Sequence, residues 1–120
     1  MARILAVDDS TSLRQLVVHT LREAGHQVSE AVNGVEALAI ARSQPFDVVI
    51  SDVNMPQMDG LTLLKHLRAL PSFRTIPILV LTTEMDPARK AEAKASGATG
   101  WMVKPFNPEQ LLSTIRKVTG

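Results

Sequence analysis

Five short apolar runs alternate along this chain with stretches whose apolar residues recur at helical spacing. The runs cover residues 3–7, 27–31, 48–52, 78–81 and 101–103. The Val and Ile of the run 48–52 are typical of a strand that is covered on both faces, whereas the run 27–31 is less apolar and is expected at an edge of the sheet. Strands that alternate with amphipathic helices form right-handed βαβ units and pair into a parallel sheet between helix layers. The sequence therefore predicts an α/β fold with a doubly wound, five-stranded parallel sheet and five helices.

Length and composition bound the kind of protein. The 120 residues suffice for one domain with a hydrophobic core, and 45% of them are hydrophobic. We expect a single monomeric domain over residues 1–120, without an output domain. Thirteen basic and twelve acidic residues leave a net charge of +1, which favours neither nucleic acid nor an anionic membrane as a partner.

The sequence also argues against cysteine-based sites and against membrane-spanning or signal segments. The chain has no cysteine, so it cannot form a disulfide, a thiolate metal site or a cysteine nucleophile. No apolar run approaches the roughly 18 residues that span a membrane as a helix, and nothing resembles a signal peptide. We therefore expect a cytoplasmic protein.

Three aspartates stand at the ends of two predicted strands. Asp8 and Asp9 follow the first strand, and Asp52 ends the third. In a doubly wound sheet of order 2-1-3-4-5 these strands are neighbours at the switch point, where such sheets bind ligands. Three carboxylates that meet there repel one another at neutral pH, so the site needs a cation, and oxygen ligands suit Mg²⁺. The alternative is that each aspartate is a solvated strand end or a helix cap.

Two further polar residues end the last two strands. Thr82 ends the fourth strand and Lys104 follows the fifth, so both are expected at the same edge of the sheet. A lysine can neutralise added negative charge there, and a threonine hydroxyl can donate to an oxyanion. With a carboxylate nucleophile and a cation, this set fits phosphoryl transfer to Asp52. The alternative for each is ordinary turn chemistry or a solvated side chain.

The motifs that carry these residues occur together in a specific order. They are Val7-Asp8-Asp9, Asp52-Val53-Asn54-Met55-Pro56 with Met58-Asp59-Gly60, Leu81-Thr82, and Lys104-Pro105-Phe106. With them the whole chain resembles the receiver domain of two-component response regulators, and most of all the single-domain chemotaxis response regulator. The resemblance implies a flavodoxin-like fold and a phosphorelay function that depends on Mg²⁺.

The resemblance also assigns roles to the acidic residues. It implies that Asp52 is the phosphoacceptor. It implies that Asp9 and Asp52 ligate Mg²⁺ directly, with the main-chain carbonyl of Asn54, while Asp8 acts through a water molecule. A sensor histidine kinase is the implied donor of the phosphoryl group.

Residues near the other strand ends receive roles in the same way. The resemblance implies that Thr82 bonds a phosphoryl oxygen, that Lys104 pairs with the phosphoryl group, and that the Lys104–Pro105 peptide is cis, which X–Pro bonds permit at small cost. Thr82 and Trp101 are the implied switch pair, although indole is larger than the family's usual tyrosine or phenylalanine. An ordinary half-buried strand residue is the alternative for Trp101. Glu84 matches a position that influences dephosphorylation, and a solvated loop charge is its alternative.

The family's output surface is formed by the fourth helix, fifth strand and fifth helix. The resemblance therefore implies that a target protein binds there, and a phosphatase is a further possible partner. We expect the alanine-rich fourth helix to turn Ala88, Ala91 and Ala95 inward and to pack weakly. The surface would display Arg89, Lys90, Lys94, Trp101 and Lys117.

Two other functions fit an α/β scaffold. An aspartate-nucleophile phosphatase usually has a general acid two residues after its nucleophile, and Asn54 occupies that position. A flavin-binding module would meet an acidic first loop that repels phosphate, and aromatic residues are only 3% with no tyrosine to stack on the ring. We therefore expect a signalling protein, not an enzyme.

Overall fold

A computed structural model describes residues 2–53, 58, 60–82, 87–104 and 106–119. Strands and helices alternate along these residues, with one short 3₁₀ helix at Pro71–Phe73. The strands are β1 (Arg3–Val7), β2 (Gln27–Ala31), β3 (Val48–Asp52), β4 (Ile78–Thr82) and β5 (Gly100–Val103). The helices are α1 (Thr11–Glu23), α2 (Gly34–Ser43), α3 (Gly60–Arg68), α4 (Pro87–Ala95) and α5 (Pro108–Thr119).

The described strands form one parallel sheet of order β2-β1-β3-β4-β5. The register pairs Val7 of β1 with Ala31 of β2 and with Ser51 of β3, so these three strands end level with one another. The predicted fold class and strand order are thereby confirmed. The carboxyl ends of the strands share one edge, where open α/β sheets bind their ligands.

Helices cover both faces of the sheet because successive strand residues point to opposite sides. On one face, Leu5 and Val49 pack in a core with buried residues of α2, α3 and α4. On the other, Ile4 and Ile50 pack in a second core with buried residues of α1 and α5. Every residue of β3 and β4 is buried, so close packing holds the ends of both strands.

The orientation of α4 differs from the prediction. Ala88, Ala91 and Ala95 are exposed, and Ala93 is the buried alanine of this helix. Alanines lie on more than one side of α4, so their spacing does not fix the rotation of the helix. Among the described residues, no helix is both long and apolar enough to cross a membrane.

Arg68, at the end of α3, joins the segments that lead into β4 and β5. Its Nη1 donates to the carbonyls of Phe73 (2.8 Å) and Ile76 (2.6 Å). Its Nε and Nη2 donate to the carbonyl of Gly97, at 3.0 and 2.7 Å. Desolvation lowers the pKa of the Arg68 guanidinium. The side chain therefore satisfies three main-chain acceptors that the segments before β4 and β5 would otherwise leave unpaired.

Candidate phosphoacceptor and metal site

The site lies where β1 and β3 end side by side. Asp52 is the last residue of β3 and pairs in register with Leu81 of β4. Asp8 follows β1 directly, and its main-chain N–H donates to Ala31 of β2 at 3.1 Å. Because both carboxylates leave the same edge of a parallel sheet, strand topology alone brings together residues that are 44 positions apart.

Three carboxylates converge at this edge. Oxygen atoms of Asp8, Asp9 and Asp52 all lie within 4.8 Å of one another. Asp8 and Asp52 are only 3% and 4% exposed, while Asp9 is open to solvent. Like charges this close destabilise one another, and burial of two of them weakens solvent screening. The cluster therefore favours a positive ion beside it.

Lys104 supplies one positive charge from the end of β5. Its Nζ lies 2.9 Å from Oδ1 of Asp52 and 3.5 Å from Oδ2 of Asp8. The first contact is a charge-assisted hydrogen bond, whereas the second is an ion contact only. One ammonium thus faces two buried carboxylates, and the described part of the site retains a net negative charge.

The donor atoms fit a hard divalent cation. Oδ1 of Asp8 accepts a hydrogen bond from the main-chain N–H of Ser10 at 2.8 Å. Oδ2 of Asp8 is buried and has no hydrogen-bond partner within the described residues. A buried carboxylate oxygen needs a partner, and Mg²⁺ with its bound waters takes carboxylate ligands of this kind.

Thr82 completes the edge between Asp52 and Lys104. It is the last residue of β4 and is fully buried. Its carbonyl accepts the main-chain N–H of Lys104 at 2.7 Å. The hydrogen bond ties the start of the segment after β5 to the end of β4. The structure therefore brings Asp8, Asp9, Asp52, Thr82 and Lys104 to one edge of the sheet, as the sequence predicted.

The remaining predicted site residues are either outside the described structure or, like Trp101, away from the acidic cluster. Asn54, Glu84 and Pro105 lie outside the described residues, so the expected metal carbonyl, loop charge and cis peptide stay predictions. Trp101 is half-buried in β5 and packs against the core on the α3 and α4 side. It lines a cleft of about 220 Å³ with Lys90 and Lys94 of α4.

Two contacts beside the site were not predicted from the sequence. The N–H of Gly60 donates to the carbonyl of Val53 at 2.8 Å, and a Cβ on Gly60 would clash with the main-chain oxygen of Asp52. Only glycine lets α3 begin this close to the end of β3. Arg14 of α1 donates to the main chain of Asp8. The sequence contained one indication of the Arg14 contact. Arg14 is charged, yet it lies three and four positions before Val17 and Val18 and therefore on the apolar side of α1.

A family model described as the response regulator receiver domain matches residues 4–116. The chain belongs to this family. Among curated proteins, it is similar to the "Chemotaxis protein CheY homolog" of Campylobacter jejuni, with 38% identity over 98% of this chain and 92% of that protein.

Solved receiver structures match over nearly the whole chain. The structure of chemotaxis protein CheY4 of Vibrio cholerae matches this chain with 57% sequence identity and a TM-score of 0.96. The match covers 98% of each chain. The receiver domain of sensor histidine kinase PA1611 from Pseudomonas aeruginosa is 25% identical over 99% of this chain and 98% of its own, with a TM-score of 0.92. In that structure a magnesium ion is coordinated in the active site cleft. The resemblance inferred from the motifs is thus confirmed.

Proposed function

We propose that this receiver domain accepts a phosphoryl group on Asp52 from a phosphohistidine of a sensor histidine kinase. The observation that carries the proposal is the contact of 2.9 Å between Lys104 Nζ and Asp52 Oδ1, within a cluster of three carboxylates. Membership of the response regulator receiver family supports it. The proposed product is an acyl phosphate that signals through protein binding.

The chemistry requires one bond to form and one to break. A carboxylate oxygen of Asp52 forms a bond to phosphorus while the bond from phosphorus to the donor's imidazole nitrogen breaks, and the imidazole keeps that electron pair. Lys104, already beside the nucleophile, is placed to follow the negative charge onto the phosphoryl oxygens. We assign the hydroxyl of Thr82 as a donor to one of these oxygens.

We propose that Asp8, Asp9 and Asp52 hold Mg²⁺, with the carbonyl of Asn54. The bound ion would neutralise charge on the phosphoryl oxygens. The buried Oδ2 of Asp8, which has no hydrogen-bond partner within the described residues, and the convergence of the three carboxylates support this assignment. So does the magnesium ion in the cleft of the Pseudomonas receiver domain.

We further propose that the message leaves through the surface of α4, β5 and α5. Trp101 is half-buried at its centre, and Lys90, Lys94 and Lys117 are exposed around it. A half-buried aromatic ring with basic neighbours is suited to anchor a partner with acidic residues. The chemotaxis names of the Campylobacter and Vibrio relatives favour a chemotaxis pathway for that partner. A phosphatase is a further proposed partner.

Incubation with Mg²⁺ and acetyl phosphate tests the phosphoacceptor. We expect one phosphoryl group per chain, stable in acid and labile in base, and none in Asp52→Asn. Asp47→Asn is the matched control, because Asp47 pairs with Arg3 (3.1 Å) at the other edge of the sheet. Phosphorylation of Asp52→Asn at the wild-type rate would refute the proposal, and multiple turnover of an unrelated phosphomonoester would favour a phosphatase instead.

A further inference from the structure

Arg14 is a nearly buried cation that the phosphoryl-transfer chemistry does not use. It lies in the first turns of α1, and its side chain is only 11% exposed. Its Nη1 donates to the main-chain carbonyl of Asp8 at 2.9 Å. Its Nε donates to Oε1 of Glu30 in β2 at 3.1 Å. One planar guanidinium therefore joins the acidic turn after β1 to the neighbouring edge strand.

Glu30 is itself held in place, so the anchor of Arg14 is fixed. Gln15 donates to Oε1 of Glu30 at 3.4 Å, and Nη2 of Arg22 lies 4.0 Å from its Oε2. Arg22 also donates to the carbonyl of Val28 in the same strand at 3.0 Å. These longer contacts, together with Arg14, place the carboxylate of Glu30 between α1 and β2. A guanidinium that is bound at two points loses its rotamer freedom and becomes a rigid spacer.

The contact with Asp8 is made where it controls the carboxylate. The main-chain N–H of Asp8 donates to the carbonyl of Ala31. The carbonyl of Asp8 accepts from Arg14, and its Oδ1 accepts from the N–H of Ser10. These three contacts determine the direction of the remaining oxygen, Oδ2, toward Lys104 and the other carboxylates. Of these three contacts, the one from Arg14 is made to the peptide that links Asp8 to Asp9, so we expect its loss to loosen the separation of both carboxylates from Asp52.

We propose that Arg14 is a positioning residue of the metal site, anchored by Glu30, that fixes the Asp8–Asp9 turn in the geometry that binds Mg²⁺. The inference rests on the proposed function, because it takes the acidic cluster as the cation site. Groups that orient metal ligands without touching the metal typically change metal affinity by about 10- to 100-fold when they are removed. Arg14 meets that description through a main-chain carbonyl.

The first test is Mg²⁺ affinity, measured by calorimetry without any phosphodonor. We expect Arg14→Ala to raise the Kd for Mg²⁺ by about 10-fold. Arg14→Lys keeps the charge but lacks the fork that reaches both partners, so its Kd should fall between those of wild type and Arg14→Ala. Arg3→Ala is the matched control, because Arg3 pairs with Asp47 at the amino end of β1 and contacts neither Asp8 nor Glu30 in the described structure. We expect its Kd to equal that of wild type.

A second readout needs no metal. The N–H of Ser10 donates to Oδ1 of Asp8 just before α1, and the N–H of Glu36 donates to Oδ1 of Asn33, the N-cap of α2, at 2.8 Å. In Mg²⁺-free Arg14→Ala, we expect hydrogen exchange to accelerate at Ser10 and to stay unchanged at Glu36. If Arg14 had a purely structural role, its replacement would lower the global unfolding midpoint. The Kd for Mg²⁺ and the difference in exchange rate between Ser10 and Glu36 would then stay unchanged.

The outcomes separate this inference from the proposed function. If wild-type protein neither binds Mg²⁺ nor accepts phosphate, the proposed function fails. If wild type does both and a folded Arg14→Ala binds Mg²⁺ with wild-type affinity, only the positioning role is overturned. Should Arg14→Ala not fold, Glu30→Ala removes the anchor and leaves Arg14 in place. A wild-type Kd in Glu30→Ala would then overturn the positioning role.

Discussion

Replacement of Asp8 by asparagine should stabilise the metal-free protein. Asp8 is 3% exposed, and its Oδ2 has no hydrogen-bond partner in the described structure. The carboxylates of Asp9 and Asp52 lie within 4.8 Å, and Lys104 Nζ is 3.5 Å away. Asparagine keeps the shape of the side chain and an oxygen that can accept the N–H of Ser10, but it removes the charge.

The magnitude follows from these distances. At an effective dielectric constant of about 20, repulsion between two unit charges no more than 4.8 Å apart is at least about 3.5 kcal/mol, and attraction at 3.5 Å is about 5 kcal/mol. Repulsion from Asp52 therefore offsets most of the attraction to Lys104. Repulsion from the exposed Asp9 is weakened by solvent. Burial of an oxygen that has no hydrogen bond adds a desolvation cost of about 1–3 kcal/mol. We expect Asp8→Asn to raise the free energy of unfolding by about 2 kcal/mol.

Urea denaturation at pH 7 in EDTA measures this difference. We expect a higher midpoint for Asp8→Asn with an unchanged m-value. Saturating Mg²⁺ should reduce the difference, because the ion stabilises the wild type and the variant has lost one negative charge of the proposed metal site. Asp47→Asn, which removes a carboxylate paired with Arg3, should not be stabilised. A lower midpoint for Asp8→Asn in EDTA would refute the electrostatic reasoning.

Three further changes have expected outcomes that follow from single contacts. Gly60→Ala places a methyl group against the carbonyl of Asp52. It should lower the free energy of unfolding in urea by about 1–3 kcal/mol and slow phosphorylation. Unchanged stability would mean that α3 does not begin so close to β3. Arg68→Met removes the donors to the carbonyls of Phe73, Ile76 and Gly97 and should cost about 2–4 kcal/mol, whereas a loss below about 0.5 kcal/mol, typical of surface positions, would show that water replaces the guanidinium. Burial lowers the pKa of His26, whose Nδ1 accepts the N–H of Ala2 at 3.0 Å. The native state therefore binds fewer protons, and the stability present above pH 6.5 should be lost as the pH falls through the lowered pKa. Thermal unfolding between pH 7 and pH 5 measures this loss of stability, which should be smaller in His26→Gln. An equal loss in both proteins would show that other groups cause it.

The sequence predicts the sheet and the acidic cluster because both depend on order along the chain. Strand ends are visible as the points where apolar runs stop, and parallel topology sends all of them to one edge. The convergence of Asp8, Asp52 and Lys104 follows from that rule alone. Their separations do not, because side-chain distances depend on how the strands twist and on which rotamers the packed core permits.

Contacts between side chains and the main chain of another element are harder to predict. Arg14 reaches Asp8 and Glu30 only because α1 lies over β1 and β2 at a particular rotation. The rotation of α4 was predicted wrongly for a related reason: alanines on several sides give no single apolar stripe, and packing selected Ala93. The close approach at Gly60 is likewise a consequence of tertiary packing, although glycine at a helix start was visible in the sequence.

Chemical identification of the phosphorylated residue tests the central claim most directly. Borohydride reduces an aspartyl phosphate to homoserine, which peptide mass spectrometry locates along the chain. After incubation with Mg²⁺ and acetyl phosphate, we predict homoserine at position 52 in wild type and at no aspartate in a sample prepared with EDTA. Homoserine at position 8 or 9 but not at 52 would contradict the assignment of Asp52 as the phosphoacceptor.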